Sequence, residues 1–564
     1  MAQRMFTAEE AYAMICSDTD TASEIDDELF VPSSSSSDSD EPVARRSRLS
    51  ESQPSTSSND PDWLSAESYA PQIPDFVSVP GVKIDTTGYC EADFFKFFFS
   101  DDLINLIVQQ TNVYAAQFLA THPESLYVRD NMWKPVDQAE MLIFWGLLLN
   151  MGLVKKPTIR SYWSTDVLYD TPMYRDVMPR KRFEAIMRFI HYSDNSLCPP
   201  ASDPSYDRLF KIRPLVKHFN LKFAEVYMPE KNLAIDDSLV LFKGRLKFRQ
   251  YLPSKRAKYG MKVYKVCESN SGFTHHFRVY EGKDSKINPP ECPPNLNVSG
   301  RIVWDLIHPL LDKGYHLFVD NFYTSVPLFR ALFQKNTVAC GTIRRTQKGL
   351  PKALVNFKLK AGECKALCND HLLLVKYRDK KDVHVLTTIH ANESSPVPVR
   401  GRNATTSKPL CIQQYNKNMG GVDLADQMLQ PYSAVRKSKV WYKKLAINLV
   451  QMALYNSFVI YKKTGHQGSY LDYQEKVIKN LIFGDLGSEA RATTSSDASR
   501  IVAGQHFPSQ VPPTAKKARP QKRCRVCYKN GIRKDTGYQC MTCHDQPGLC
   551  IHECFRKYHT SLEY

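Results

Sequence analysis

With 564 residues the chain is too long for a single hydrophobic core, and three or more domains are expected. Its 75 lysines and arginines against 59 acidic residues leave a formal charge of +16, which points to a polyanionic partner. The longest apolar run, "MLIFWGLLLNMGLV" from Met141, falls short of the roughly 18 to 20 residues a bilayer span needs, so nucleic acid ranks ahead of a membrane.

Residues 1–60 carry 13 acidic and 4 basic side chains around runs such as "SSSSSDSDE". Low hydrophobicity with high charge predicts a disordered acidic tail over residues 1–80. That tail holds nine net negative charges, which leaves +25 on the rest of the chain. No basic-then-apolar leader stands at the start, and secretion is not expected. Residues 81–230 read as mainly helical, because apolar side chains recur every three or four positions in "DLINLIVQQTNVYAAQFLA" and "KRFEAIMRFIHYS". Strands are predicted from Leu233 to about Glu281, with "ESNSG" as a hairpin turn, and again at 372–391 in "LLLVKYRDKKDVHVLTTIHA". Helix returns after Gly420 and runs through "KLAINLVQMALYNSFVIYKK". A Gly, Ser and Pro-rich linker covers 485–520, and a compact cysteine-rich module covers 521–564.

Three places join an apolar lead to a carboxylate. In "HLFVDNFYTSVPL" a buried-strand pattern runs into Asp320; the ordinary alternative is that Asp320 caps the helix suggested by "TSVPLFRALF". In "LAIDDSLVLFKGR" an apolar lead delivers Asp236 and Asp237 at a strand. In "NMGGVDLADQM" a glycine pair precedes Asp423, with Asp426 one turn later on the same helix face. Acidic residues at helix N-termini are ordinary dipole partners, so no one of these is informative alone. Together they fit two Mg²⁺ ions roughly 3.5 to 4 Å apart, held by carboxylate oxygens from two strands and one helix. Asp236, Asp320 and Asp423 are the expected Mg²⁺ ligands, with Mn²⁺ as the expected substitute.

The surroundings are basic. In "FKGRLKFR", Lys243, Arg245, Lys247 and Arg249 alternate with Phe242, Gly244, Leu246 and Phe248, which predicts a strand with one basic face. Lys255, Arg256 and Lys258 extend it, and from Lys243 to Lys265 nine cationic side chains meet no acidic one. Such a face suits a phosphate backbone; an edge strand protected by charge is the alternative. In "YSAVRKSKVWYKK", Arg436, Lys437, Lys439, Lys443 and Lys444 interleave with Tyr432, Trp441 and Tyr442. Cations for phosphates and aromatics for unstacked bases would hold a DNA end there, the alternative being the outward side of a long helix. Arg344 and Arg345 in "CGTIRRTQKGLP" complete the candidate DNA contacts.

Six of the 15 cysteines fall between Cys524 and Cys554, and the scatter of the others fits a reducing compartment. Cys524, Cys527, Cys540, Cys543, Cys550, His552, Cys554 and His559 offer eight ligands, enough for two structural Zn²⁺ in a cross-braced module, with His544 able to replace His552. A RING-type ubiquitin ligase shares that layout, but the basic prelude "KKARPQKRCR" favours DNA. The same prelude reads as a nuclear localisation signal.

"AIDDSLVLFKGR", "YLPSKRAKYGMKVYKV", "FVDNFYTSVPL", "CGTIRRTQKGLP" and "NMGGVDLADQM", in that order and followed by a cysteine module, resemble the piggyBac-type DNA transposases over roughly residues 90–564. The resemblance implies a multidomain α+β chain: a ribonuclease-H-like α/β catalytic core in two parts (231–330 and 416–484), a β-rich insertion (331–415), a helical N-terminal domain for DNA binding and dimerisation, and a C-terminal zinc-binding domain. It places a catalytic triad on Asp236, Asp320 and Asp423, with Asp426 as the fourth acidic residue. The choice between Asp236 and Asp237 stays open, spacing to "FKGR" favouring Asp236. It further implies cleavage at transposon 3′ ends, a hairpin on the element's end, joining to TTAA targets in double-stranded DNA, and a homodimer in the nucleus. A domesticated relative that binds DNA without cutting it is the rival; its mark would be a missing carboxylate, and none is missing.

Overall fold

The computed structural model describes residues 63–560 apart from 124–132, 254–257, 284, 286, 399–404, 485–505, 515, 516, 542 and 544. The acidic stretch 1–60 lies outside the described residues. Among the described residues twelve strands form before residue 390: β1 (Leu64–Ser65), β2 (Gly81–Val82), β3 (Tyr227–Met228), β4 (Asn232–Leu241), β5 (Gln250–Tyr251), β6 (Tyr259–Glu268), β7 (Thr274–Val279), β8 (His316–Val319), β9 (Val338–Thr342), β10 (Cys364–Asn369), β11 (Leu372–Arg378) and β12 (Asp382–Thr387). β2 and β3 pair with each other. The other ten make one mixed sheet in the order β1-β10-β11-β12-β9-β8-β4-β6-β5, with β7 also on β6.

The parallel part is β4-β8-β9, in register Ile235 with Val319 and Val319 with Gly341. Strands paired this way are buried on both faces, which is why "LFV" and "VACG" read as unbroken apolar runs. Alternate residues separate into two cores. Leu233, Ile235, Leu317 and Val319 join Trp304 and Phe329, from the helices Val298–Ile307 and Val326–Gln334, on one side. Phe318 and Cys340 join Cys411 and Ile412, from the helix Leu410–Asn418, on the other. The hairpin expected at "ESNSG" joins β6 to β7, with Gly272 at φ +71°.

A third core belongs to the helices. Glu91–Phe98, Gln138–Leu153, Trp441–Lys463 and Tyr470–Phe483 bury a common apolar interior. Trp441–Lys463 is apolar nearly all round, the pattern of a helix enclosed by others. "MLIFWGLLLNMGLV" packs instead against Tyr470–Phe483, and no helix of the described residues is long and apolar enough to cross a membrane.

Two expectations change. The tail expected over 1–80 is ordered from residue 63: β1 pairs with β10, Trp63 Nε1 donates to Gly349 O at 3.2 Å, and Tyr69 Oη donates to His371 O at 2.7 Å. Its few aromatic side chains supply apolar area that an average over the whole tail conceals. The span 331–415 carries the expected strands, but β9 hydrogen-bonds directly to β8 and β10–β12 extend the same sheet.

Candidate active site

Asp236 and Asp320 each follow a residue of the last matched pair, Ile235 with Val319, so they stand side by side on strands about 4.8 Å apart. Both fall on the face of Phe318, under helix Leu410–Asn418. Asp320 is not the cap of the following helix; Ser325 is, its hydroxyl accepting from Leu328 N. The backbone carbonyl of Asp320 instead accepts from Tyr323 N at 3.0 Å and Thr324 N at 3.2 Å, closing a turn that leaves the carboxylate at the strand end. Thr342 Oγ1 donates to Asp320 Oδ1 at 3.4 Å. A Cβ on Gly341 would sit 2.3 Å from Thr324 Oγ1 and 2.7 Å from Val319 O, so the turn closes only beside a glycine.

The strand period separates the aspartate doublet. Asp237 turns to the opposite face and pairs with Lys262 at 3.5 Å, while Asp236 Oδ1 accepts from Asp237 N at 2.7 Å. On the Asp236 side, burial, together with the charges of Asp320 and Asp236, pushes the Tyr415 hydroxyl up to about 12, despite its hydrogen bond with Thr342. Burial, with Asp237, Asp236 and Asp320 adding to it, holds the Tyr323 hydroxyl well above its ordinary range.

Helix Gly421–Leu429 lies across β4 and β6 on the Asp236 face. A Cβ on Gly421 would meet Glu268 O at 2.9 Å, whereas one on Gly420 would meet nothing, so the second glycine of the pair permits the approach. Asp426 Oδ1 accepts from Ser238 Oγ and from Lys265 Nζ, both at 2.8 Å, and the Lys265 side chain is 2% exposed. Lys265 is also the cross-strand partner of Asp236. Asp423, one turn earlier, is exposed. Among the described residues no cation pairs with Asp320 or Asp423. Nor do the oxygens of Asp236, Asp320 and Asp423 all lie within 4.8 Å of one another. The three therefore make no one-ion cage, and Asp426, not Asp423, is the acidic residue of this helix bonded directly to β4 and β6.

The basic surround differs from the expected strand. β4 stops at Leu241, whose partner Gly260 is nearly the first residue of β6, and residues 242–249 run as a loop because no strand is left to pair with. Arg249 Nη1 closes that loop by donating to Lys243 O at 3.0 Å and Gly244 O at 2.9 Å. The alternation survives: Phe242 and Phe248 are buried, and Lys243, Arg245, Lys247 and Arg249 are exposed, as are Lys258, Arg344, Arg345 and Lys439. Arg344 Nε donates to Asn321 Oδ1 at 3.1 Å, beside Asp320. Lys255 and Arg256 lie outside the described residues. Arg436 turns inward, donating to Lys156 O at 3.0 Å over the Tyr162 ring, and Trp441 packs edge-on against Phe248 at 5.3 Å. Lys443 and Lys444 are buried donors to Arg188 O and Leu241 O.

At the C-terminus two groups of ligand atoms close to within 4.8 Å: Cys524, Cys527, Cys550 and Cys554, and His506, Cys540, Cys543 and His559. Their order along the chain alternates, the layout of a cross-brace. The donors make Cys₄ and Cys₂His₂ sets, which suit Zn²⁺. His559 Nδ1 lies 2.8 Å from Phe555 O, so that nitrogen carries the proton, and Nε2, 3.4 Å from Cys543 Sγ, is the ligand atom. His552 is corrected: it is exposed and belongs to neither group. His506 takes its place, Nδ1 3.3 Å from Cys540 Sγ, although it stands 34 residues earlier in what reads as linker. His544 lies outside the described residues.

A family model described as Transposase IS4 matches residues 90–458, and one described as a DDE_Tnp_1-like zinc finger matches residues 507–560. Human PiggyBac transposable element-derived protein 3 is 23% identical over 523 residues, 88% of this chain and 81% of that protein. The chain belongs to the piggyBac-type transposase family. Human PiggyBac transposable element-derived protein 2 is 24% identical over 493 residues, 82% of this chain and 75% of that protein. The fold is that of a piggyBac transposase solved by cryo-EM as a synaptic complex with hairpin DNA: TM-score 0.64 and 24% identity, over 85% of this chain and all of that one. The mixed α/β architecture with a cysteine-rich end thus agrees with the expectation from sequence.

Proposed function

We propose that this transposase-family chain is a metal-dependent DNA strand transferase that excises an element by 3′-end cleavage and hairpin formation and joins it to TTAA targets. The observation that carries this reading is the pairing of β4 with β8, which sets Asp236 beside Asp320, with the helix that bears Asp423 lying across β4 and β6 on the Asp236 face. Asp236, Asp320 and Asp423 would hold two divalent ions, which when bound polarise the attacking and leaving oxygens of a phosphodiester. The chain's own part is orientation and charge. The Asp320 turn and Thr342 hold one carboxylate, Ser238 and Lys265 hold the helix carrying another, and exposed Lys243, Arg245, Lys247, Arg344 and Arg345 attract the backbone. The solved relative with hairpin DNA supports a double-stranded DNA substrate. We further place the protein in the nucleus as a homodimer, so that two element ends are handled together. No carboxylate of the set is missing, which favours an active enzyme over a domesticated binder.

Asp320→Asn should abolish cleavage of a duplex carrying the element's ends in Mg²⁺ while zinc content and DNA binding stay near wild type. Cleavage at the wild-type rate in that variant would remove the site from consideration.

A further inference from the structure

Phe322 is a large apolar side chain left 42% exposed two residues after Asp320. An exposed aromatic is usually mobile; this one is held. Its ring meets Tyr323 edge-on at 5.0 Å and 87°, and Lys262 Nζ lies 4.8 Å from its centroid. Lys262 is itself fixed, 11% exposed, 4.9 Å from the ring of Tyr264 and 3.5 Å from Asp237 Oδ1. The chain Asp237, Lys262, Phe322 therefore ends in a pre-set aromatic surface, and it gives the second aspartate of the doublet a purpose that the metal reading leaves blank. Asn321 and Phe322 form the corner of the turn closed by Tyr323 N on Asp320 O. Two residues span at most about 7 Å, roughly two nucleotide steps along one strand.

We infer that Phe322 is a stacking platform for one unpaired base next to the scissile phosphate, set in place by Lys262 and Asp237. The inference rests on the carboxylates being the cleavage site. A base loses its stacking neighbour when a duplex end is opened, and an aromatic face already immobilised recovers that contact with little further ordering. Lys262, shared between the two rings and Asp237, fixes the platform and leaves base identity unread, so the subsite should accept any base.

The test uses the full chain and a duplex of the element's own terminal repeat, taken from the DNA flanking the coding sequence, with an abasic nucleotide placed in turn at each position beside the cut. Phe322→Ala should slow cleavage about 5- to 160-fold, the range of single base-stacking contacts. Phe322→Leu, which keeps an apolar contact without a ring face, should match it, and Phe322→Trp should restore the rate. At one position the abasic duplex should slow the wild type equally and Phe322→Ala no further. Wild-type rates in the Ala and Leu variants, or losses that multiply at every position, would overturn the inference. Asp320→Asn run alongside separates the two readings: if it cleaves, the active site is misplaced; if only it is dead, the platform alone fails.

Discussion

Asp426 differs from Asp320 and Asp423 because it already has a cation. Its Oδ1 takes 2.8 Å hydrogen bonds from Lys265 and Ser238, and the Lys265 side chain is only 2% exposed. Asp426→Ala would leave a buried ammonium. Breaking such a pair costs about 3–5 kcal/mol when both partners are enclosed. Asp426 is 40% exposed, so water replaces part of the loss and about 2–3 kcal/mol is expected from the pair. The orphaned Ser238 hydroxyl adds roughly 1 kcal/mol. Lys265→Met together with Asp426→Ala removes the stranded charge, and the double variant should be more stable than Asp426→Ala alone. Denaturant midpoints of the wild type, Asp426→Ala and the double variant, with amide exchange over residues 421–429, read this directly. An Asp426→Ala protein as stable as wild type, or a double variant worse than it, would refute the account of Asp426 as the anchor of the helix.

The other predictions concern zinc and protons. Full-chain protein should hold two equivalents of zinc; His506→Ala should lose about one by elemental analysis, whereas His552→Ala should keep both, and the opposite result would reverse the ligand assignment. Burial holds His191, His275 and His316 down to about 3, each further lowered by nearby lysines or histidines. Free histidine titrates near 6.5, so between about pH 6.5 and 3 the unfolded chain takes up protons that the folded one refuses, and stability falls as pH falls. The urea midpoint should drop between pH 7 and 5, and His275→Gln should shrink that drop; a midpoint unaffected by pH would contradict the buried neutral state.

Much of the site was legible because it violates local rules. "LFVD" sets a charge at the end of a buried run, and "GGVD" sets two glycines where a helix begins; each conflict marked a position whose reason is tertiary. What sequence could not separate was Asp236 from Asp237. Both sit in one strand, and only the register with β8 and the ion pair with Lys262 tell which faces Asp320. The basic loop misled for a related reason: alternating exposure in "FKGRLKFR" copies a strand, but strand formation needs a partner, and β6 ends the ladder at Tyr259. His506 carried no signal at all, since its 34-residue distance from Cys540 is spanned by folding and matches no short ligand spacing.

The placement of lysines gives the candidate site its polarity. Two of its carboxylates, Asp237 and Asp426, are each neutralised by a nearly buried ammonium from β6, Lys262 and Lys265. Those two lysines stand three residues apart on one strand, so their side chains leave opposite faces and one strand serves both sides of the site. Asp320 and Asp423 receive no such partner among the described residues. A fold that supplies internal cations to some acidic groups and withholds them from others leaves its uncompensated negative charge on Asp320 and Asp423. A divalent ion of the kind proposed above would meet no competing cation at Asp320 and Asp423, while the paired carboxylates work as fasteners of the fold.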